Sequence, residues 1–414
     1  MKTWLKATLS GMAVAAVALT LTACGSDSSS KDSSTTTSSK PSGEVKLWVD
    51  TNFTKVYGKI VKDFEKENPD VKVTVKQGNS ADAQKDIKKD PSSAADVFMF
   101  PHDQLGQMVD AGIIYQNTKY AKDVKANNVD SAVDAATYNG KLYGYPYGVE
   151  SQILYYNKSK LTANDVKTWS GLTSKGKLGT NFAENGANYI FSSLFMSNGG
   201  ILYGEDGEDI KGTNFNNANG VEVLKWISAQ KNNSGVVQAN ASALANLQSG
   251  KTDAFLSGPW SKNDVIKALG DNMAAAPYPT IDFGNGAKQF KAYLGVKLFG
   301  VNAETKNPVA AMALANYITS KTAQVAVFKD QGTVPSNKDA QKNSALTSDE
   351  VSSAVLAMSD ADHSVVMPKL PEMVNFWPPM DALINDTYKG KIPSSDFQSK
   401  LDTFVKQVSK SSTK

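Results

Sequence analysis

Arginine is absent: all 44 basic side chains of the 414-residue chain are lysines. Guanidinium forks are the usual grip on carboxylates and phosphates, so their lack points away from amino acids, nucleotides and phosphorylated ligands. Lysine or a helix N-terminus can substitute. Cysteine occurs once, as Cys24, which excludes an internal disulfide and a cysteine-built metal site. Two histidines, His102 and His363, are too few for a histidine-rich zinc centre, so no metal is expected. Charge of one sign is also missing. The formal net charge is +3, and removing residues 1–23, with two lysines and no acid, brings it to +1. No global field for nucleic acid results. The first strand is not followed by a glycine-rich phosphate loop, which disfavours a nucleotide fold, and no cofactor is expected. A repeat of solenoid period is also lacking.

What is present is a globular composition, 41% hydrophobic and 21% charged, over a length that suits about two lobes. Residues 1–23 combine an early pair of lysines with the apolar run Ala7 to Ala23. That run is short for a membrane span and reads as an export signal. It ends Leu21-Thr22-Ala23-Cys24-Gly25, which resembles a bacterial lipobox; an ordinary signal peptide with a chance cysteine is the other reading. Acylation of Cys24 would hold the chain to the outer face of the cell membrane. Residues 24–43, GSDSSSKDSSTTTSSKPSG after the cysteine, cannot bury enough apolar surface to order themselves and read as a tether.

From Glu44 the pattern is β-α-β-α-β. Val45–Val49, Val71–Val75 and Asp96–Phe100 read as strands. Val56, Ile60 and Phe64 mark one helix face, residues 80–90 a polar helix. Such repetition implies a parallel sheet with right-handed crossovers, with ligands binding beyond the carboxyl ends of its strands. Those ends are Asp50-Thr51-Asn52, Lys76 to Asn79 and Phe100 to Gln104. Asn139-Gly140 predicts a hairpin turn. Residues 218–231 and Pro308–Ser320 predict helices, with 322–328 continuing after a break; Thr252–Ser257 and Tyr293–Val301 predict strands.

Aromatic and acidic residues gather at the predicted strand ends and loops: Phe100, Asp103, Glu150, Tyr189, Trp260 and Trp377. Trp260 follows Gly-Pro and Trp377 precedes Pro-Pro, which places both at chain reversals. Flat apolar platforms beside carboxylates and amides suit sugars, with their C–H faces and hydroxyl rims. Plainer roles stay open: either tryptophan can be a packing residue, Glu150 a solvated turn charge, Asp103 a helix cap. His102 reads as a polar surface or capping residue, and Glu205–Asp209 as a solvated acidic turn without calcium-loop spacing.

Five stretches carry a resemblance: Asp96–Asp103, Tyr138-Asn-Gly-Lys-Leu-Tyr-Gly-Tyr-Pro-Tyr-Gly-Val-Glu150, Tyr156–Lys158, Ser257-Gly-Pro-Trp260, and Met367–Trp377. In order and spacing, nearly all of the chain after the tether resembles the maltose/maltodextrin-binding proteins of ATP-driven sugar importers. The resemblance implies an α/β, two-lobed, hinged type II periplasmic-binding-protein fold with several chain crossings. One lobe would be residues 44–147 and 298–362, the other 150–292 and 366–414. It implies ligand-binding roles for Asn52, Phe100, Asp103, Gln104, Glu150, Tyr189, Trp260 and Trp377. Asn52 and Phe53 replace an acid–lysine pair of the best-known branch, Gln104 an arginine, and Lys76 an acid. The implied partners are an oligosaccharide and an ABC permease, the receptor being a monomer and not an enzyme. Two rivals remain: a receptor for polyamines or quaternary amines, since aromatic boxes with carboxylates suit cations, and a glycoside hydrolase with Asp103 and Glu150 as acid and base.

Overall fold

The computed structural model describes residues 40–184, 186–239 and 242–411. Cys24, the export segment and the tether up to Ser39 lie outside the described residues.

The opening β-α-β-α-β pattern is realised as read. Alternation of Val45, Leu47 and Val49 makes the strand Gly43–Asp50, which pairs in parallel with Val71–Gly78 and with Val97–Pro101. Between them the helix Thr54–Glu67 buries Val56, Tyr57, Ile60, Val61 and Phe64, an apolar stripe of helical period. The sheet is completed by Ala292–Val301, which runs antiparallel to both Val97–Pro101 and Tyr145–Ser151 and parallel to Ser364–Val366. A second, five-stranded sheet has the order 273–276, 153–157, 254–257, 178–180, 236–238. The chain passes between the sheets at Gln152, the residue separating Tyr145–Ser151 from Ile153–Asn157, again ahead of Ala292, between Gln331 and Glu350, and around Ser364–Val366.

Two allocations differ from the expected spans. Ala292–Val301 belongs to the first sheet from its first residue. Helix Glu350–Met358 packs on Met273–Ala276 and Ile153–Asn157, strands of the second sheet. Its buried stripe of Val351, Ala354, Val355 and Met358 specifies an apolar face. Helical period alone does not say which sheet that face covers.

Asn139 and Gly140 both adopt positive φ, 49° and 71°, as a tight hairpin turn requires, and join the two-residue strands Thr137–Tyr138 and Lys141–Leu142. The acidic turn is not simply solvated: Glu208 accepts the Asn139 N–H at 3.0 Å and pairs with Lys369 at 2.9 Å. Lys369 is buried and also donates to the carbonyls of Asp134 and Thr137, so its charge is compensated on every side.

His102 is likewise not at the surface. It is fully buried, with its Nδ1 accepting the Val296 N–H at 3.1 Å and its Nε2 2.9 Å from the Met367 carbonyl. An amide donor at Nδ1 fixes the proton on Nε2, which donates to Met367. Burial first, with the Lys369 charge adding to it, lowers its pKa from 6.5 to about 4. The neutral ring therefore joins the Val97–Pro101 strand end, the Ala292–Val301 strand and the last crossing.

A histidine whose folded pKa lies below its unfolded one contributes stability that is full above pH 6.5 and is lost as pH falls through about 4. His102→Leu leaves the Val296 N–H and Met367 C=O unmet. Urea unfolding at pH 7.5 is expected to show a loss on the order of 2 kcal/mol. The stability difference between pH 7.5 and pH 5 should shrink relative to the parent chain.

Candidate functional site

Aromatic and charged side chains from several elements gather around Tyr189. The short turn His102–Gln104, after strand Val97–Pro101, carries Asp103. The next helix, Leu105–Asp110, has no side-chain cap, so Asp103 is not its capping residue. Asp103 Oδ1 is buried without a hydrogen-bond partner. Burial, with the charge of Glu150 adding to it, raises its pKa from 3.8 to about 6. Glu150 lies on Tyr145–Ser151 and pairs with Lys297 through Oε2 at 2.9 Å, both side chains half-buried. Gly295 faces Glu150 across the antiparallel ladder. A Cβ at Gly295 would stand 3.0 Å from Glu150 Cγ, so the missing side chain makes room for the carboxylate.

The aromatic wall comes from the other side. Tyr189 sits on the short helix Ala187–Phe191. Asn188, next to it, donates from its side chain to the Trp377 carbonyl at 2.8 Å and from its backbone to Asp381 Oδ1 at 3.2 Å. That staple sets Tyr189 beside Trp377, their ring centroids 6.3 Å apart. Beneath both lies the buried Tyr293, 6.3 Å from Tyr189 and 5.7 Å edge-on to Trp377. Burial, then the charges of Glu150 and Asp103, push the Tyr189 hydroxyl up to about 12. The phenol therefore shares one electrostatic environment with both carboxylates and stays protonated.

Trp377 is in a helix, not at a chain reversal. Met373–Lys389 runs through Pro378 and Pro379. Prolines remove backbone donors from a helix. The turn leading into the helix is closed by bonds three residues apart, Met373 N–H to Leu370 and Asn375 N–H to Glu372, as 3₁₀ turns at helix starts are. Trp260 does stand at a reversal. Strand Ala254–Ser257 ends at Gly258, and Pro259 starts the single turn Pro259–Ser261. A Cβ at Gly258 would collide with the Trp260 indole, which folds back over that position. Tyr155 Oη holds the Gly258 carbonyl at 3.1 Å. The ring of Trp260 is 57% exposed and forms one wall of a cavity of about 340 Å³ that Tyr189 also lines.

Three expected residues are not in this group. Phe100 is 1% exposed and packs on Phe98 at 5.6 Å; its strand is covered on both faces, so no ring face is free for a ligand. Gln104 is engaged in holding a loop, donating to the carbonyls of Ser80 and Ala81 and accepting the Gln84 N–H. Asn52 donates to Gln331 Oε1 at 2.9 Å on the exposed end of the first strand. Lys297, Gly295 and Tyr293 were missed. Lys297 carried a signal, a lone charge inside the apolar run Tyr293–Val301. Among the described residues no group of His, Cys, Asp and Glu is arranged to hold a metal ion.

A family described as bacterial extracellular solute-binding protein matches residues 59–357. The chain belongs to this family. A maltodextrin-binding protein of L. casei BL23, solved without ligand, is 48% identical and superposes with a TM-score of 0.86 over 89% of this chain and all of that one. Among curated proteins of Bacillus subtilis (strain 168), a galactooligosaccharide-binding protein is 29% identical and a maltodextrin-binding protein 28%; each match covers 92% of both chains. The two sheets and the crossings between them are thus the two-lobed type II fold of the solute-binding proteins, which bind without catalysing.

Removing the Lys297 counter-charge leaves Glu150 acting on Asp103 alone. Lys297→Met is expected to raise the Asp103 pKa further above about 6, read by carbon-detected NMR titration of the aspartate carboxyls. The folded value lies above the ordinary one, so ionised Asp103 opposes folding. That opposition is relieved as pH falls through about 6 in the parent chain and at a higher pH in the variant.

Proposed function

We propose that this solute-binding protein captures maltose and maltodextrins between its two lobes and delivers them to an ABC permease of the cell membrane. The observation that carries the reading is the pair of rings Tyr189 and Trp377, with Tyr189 in the field of the carboxylates Glu150 and Asp103, Glu150 already paired with Lys297, and Trp260 on a cavity that Tyr189 also lines. Stacked rings take the apolar faces of pyranoses. Asp103 Oδ1, buried and unmet, accepts a hydroxyl proton at roughly 0.5–1.5 kcal/mol net. Relatives named for maltodextrins and maltooligosaccharides, matched over more than nine-tenths of the chain, support this class of ligand. An amine receptor would want unpaired carboxylates. Here Lys297 claims one, and burial holds the other partly protonated near pH 6.

The lobes we assign follow the sheets. The first takes 44–151, the strand Ala292–Val301 and the helices Pro308–Ile318 and Lys321–Gln331, which pack on the helix Thr54–Glu67. The second runs from 153 to the end of the second sheet, with helix Glu350–Met358 and the C-terminal helices. Contacts that both lobes make to sugar only when closed shift the hinge equilibrium toward closure. The closed monomer then docks on the permease, and no bond of the sugar is made or broken. We infer that Cys24 carries the acyl anchor, in keeping with streptococcal relatives named as lipoproteins.

Titration of residues 44–414 with maltotriose should give a saturable change in tryptophan fluorescence, and spermidine none. Trp260→Ala and Trp377→Ala should each weaken maltotriose binding by about tenfold or more. A response to spermidine with silence toward maltotriose would sink the sugar reading. Cys24→Ser, expressed in cells, should move from the detergent phase to the aqueous phase of a Triton X-114 partition.

A further inference from the structure

One turn engages the whole amide of Gln104. Its Nε2 donates to the Ser80 carbonyl at 3.1 Å and to the Ala81 carbonyl at 2.8 Å, and its Oε1 accepts the Gln84 N–H at 3.0 Å. Two carbonyls and one N–H fix which end of the amide is nitrogen. The turn is Ser80–Asp82, which leads into the helix Ala83–Lys89. Its other side is fastened by Asp50, which accepts the Ser80 N–H at 2.6 Å and the Ser80 hydroxyl at 2.7 Å. The turn therefore ties together the ends of the strands Gly43–Asp50, Val71–Gly78 and Val97–Pro101. Asp103 is the middle residue of the single turn His102–Gln104, with a fastened neighbour on each side: His102, held by Val296 and Met367, and Gln104. Its own Oδ1 has no hydrogen bond to fix its direction.

We propose that Gln104 is a positioning residue for sugar: its amide locks the Ser80–Asp82 turn and, with His102, holds the Asp103 carboxylate where a ligand hydroxyl can reach it. The inference rests on the sugar reading above and deepens it, because Gln104 acts through Asp103 and not by touching the sugar. An acceptor held in place before contact binds more tightly than one that must be ordered on contact. The residue type is decisive. Arginine offers no acceptor for the Gln84 N–H and would set a cation beside Asp103, and glutamate offers no donor for the two carbonyls. Methionine keeps the length of the side chain and makes none of the three bonds.

The test compares Gln104→Met, Ser80→Ala and the parent chain. Ser80→Ala removes the hydroxyl bond to Asp50 and loosens the same turn from its other side, so it decides the matter should Gln104→Met fail to fold. Maltotriose affinity is read by calorimetry at pH 7.5, and the ligand-free Asp103 carboxyl by carbon-detected NMR titration. Gln104→Met is expected to bind about tenfold more weakly and Ser80→Ala about threefold. In both, the Asp103 midpoint should fall from about 6 toward 3.8, because a loosened turn admits water to the carboxyl. Neither variant adds or removes a charge, so Glu150 and Lys297 cannot cause that shift. A lower melting temperature with parent affinity and parent midpoint would make Gln104 merely structural and overturns the proposal. Weaker binding with an unmoved Asp103 midpoint would make it a direct contact and overturns the proposal too. Unchanged affinity in both variants sinks the positioning role with the sugar reading intact, whereas failure of the parent chain to bind maltotriose sinks both.

Discussion

One buried imidazole sets the register of the binding site. His102 receives the Val296 N–H and meets the Met367 carbonyl, so it joins three segments far apart in sequence. Asp103 is its neighbour on the first. Tyr293, Gly295 and Lys297 flank Val296 on the second. Met367 opens the third, which leads into the helix of Trp377. A shift in any of these contacts would move a carboxylate, its counter-charge or an aromatic platform relative to the others. Burial keeps the ring neutral, and only the neutral ring can accept at one nitrogen and donate at the other. The geometry of the site therefore depends on the protonation state of a residue that itself need not touch ligand.

The second ordering device is the absence of side chains. Gly258 lets the Trp260 indole fold back over the end of its strand, and Gly295 gives the Glu150 carboxylate its place across the ladder. In both cases the functional group is positioned by the backbone of its neighbour, so the aromatic and acidic positions cannot be moved to other sequence contexts without their glycines. Asn188 does for Tyr189 what these glycines do for Trp260 and Glu150. It fastens the short helix of Tyr189 to the helix of Trp377 and turns two distant segments into one wall.

Much of this was legible in the chain. Alternating Val45, Leu47 and Val49, the stripe of Val56, Ile60 and Phe64, and the Asn139-Gly140 turn each produced the element they signal. Local patterns failed where the answer depended on what another segment brings. Phe100 ends a strand covered on both faces, and nothing in its own neighbourhood tells a platform from a core ring. His102 reads as a surface residue because the two backbone groups that satisfy it come from positions 296 and 367. Pro378-Pro379 signals a break, yet the helix Met373–Lys389 runs through both prolines. Helix Glu350–Met358 shows its apolar face in sequence but not its partner sheet.

The lack of arginine takes on meaning at the Glu150–Lys297 pair. A guanidinium engages both oxygens of a carboxylate in a planar fork, whereas an ammonium is a point charge. Lys297 takes Glu150 through Oε2; an arginine in its place would compete for the second oxygen as well. A receptor for polyols needs carboxylates that are held in position and partly compensated yet still able to accept hydroxyl protons. Lysine meets that need where arginine would use up the acceptor. Asp103 reaches the same end by another route, since burial and the nearby Glu150 charge raise its pKa to about 6 without a cation bonded to it. The two acids thus have their charge moderated by different means, which under the proposed sugar reading suits hydroxyl donors over a free cation.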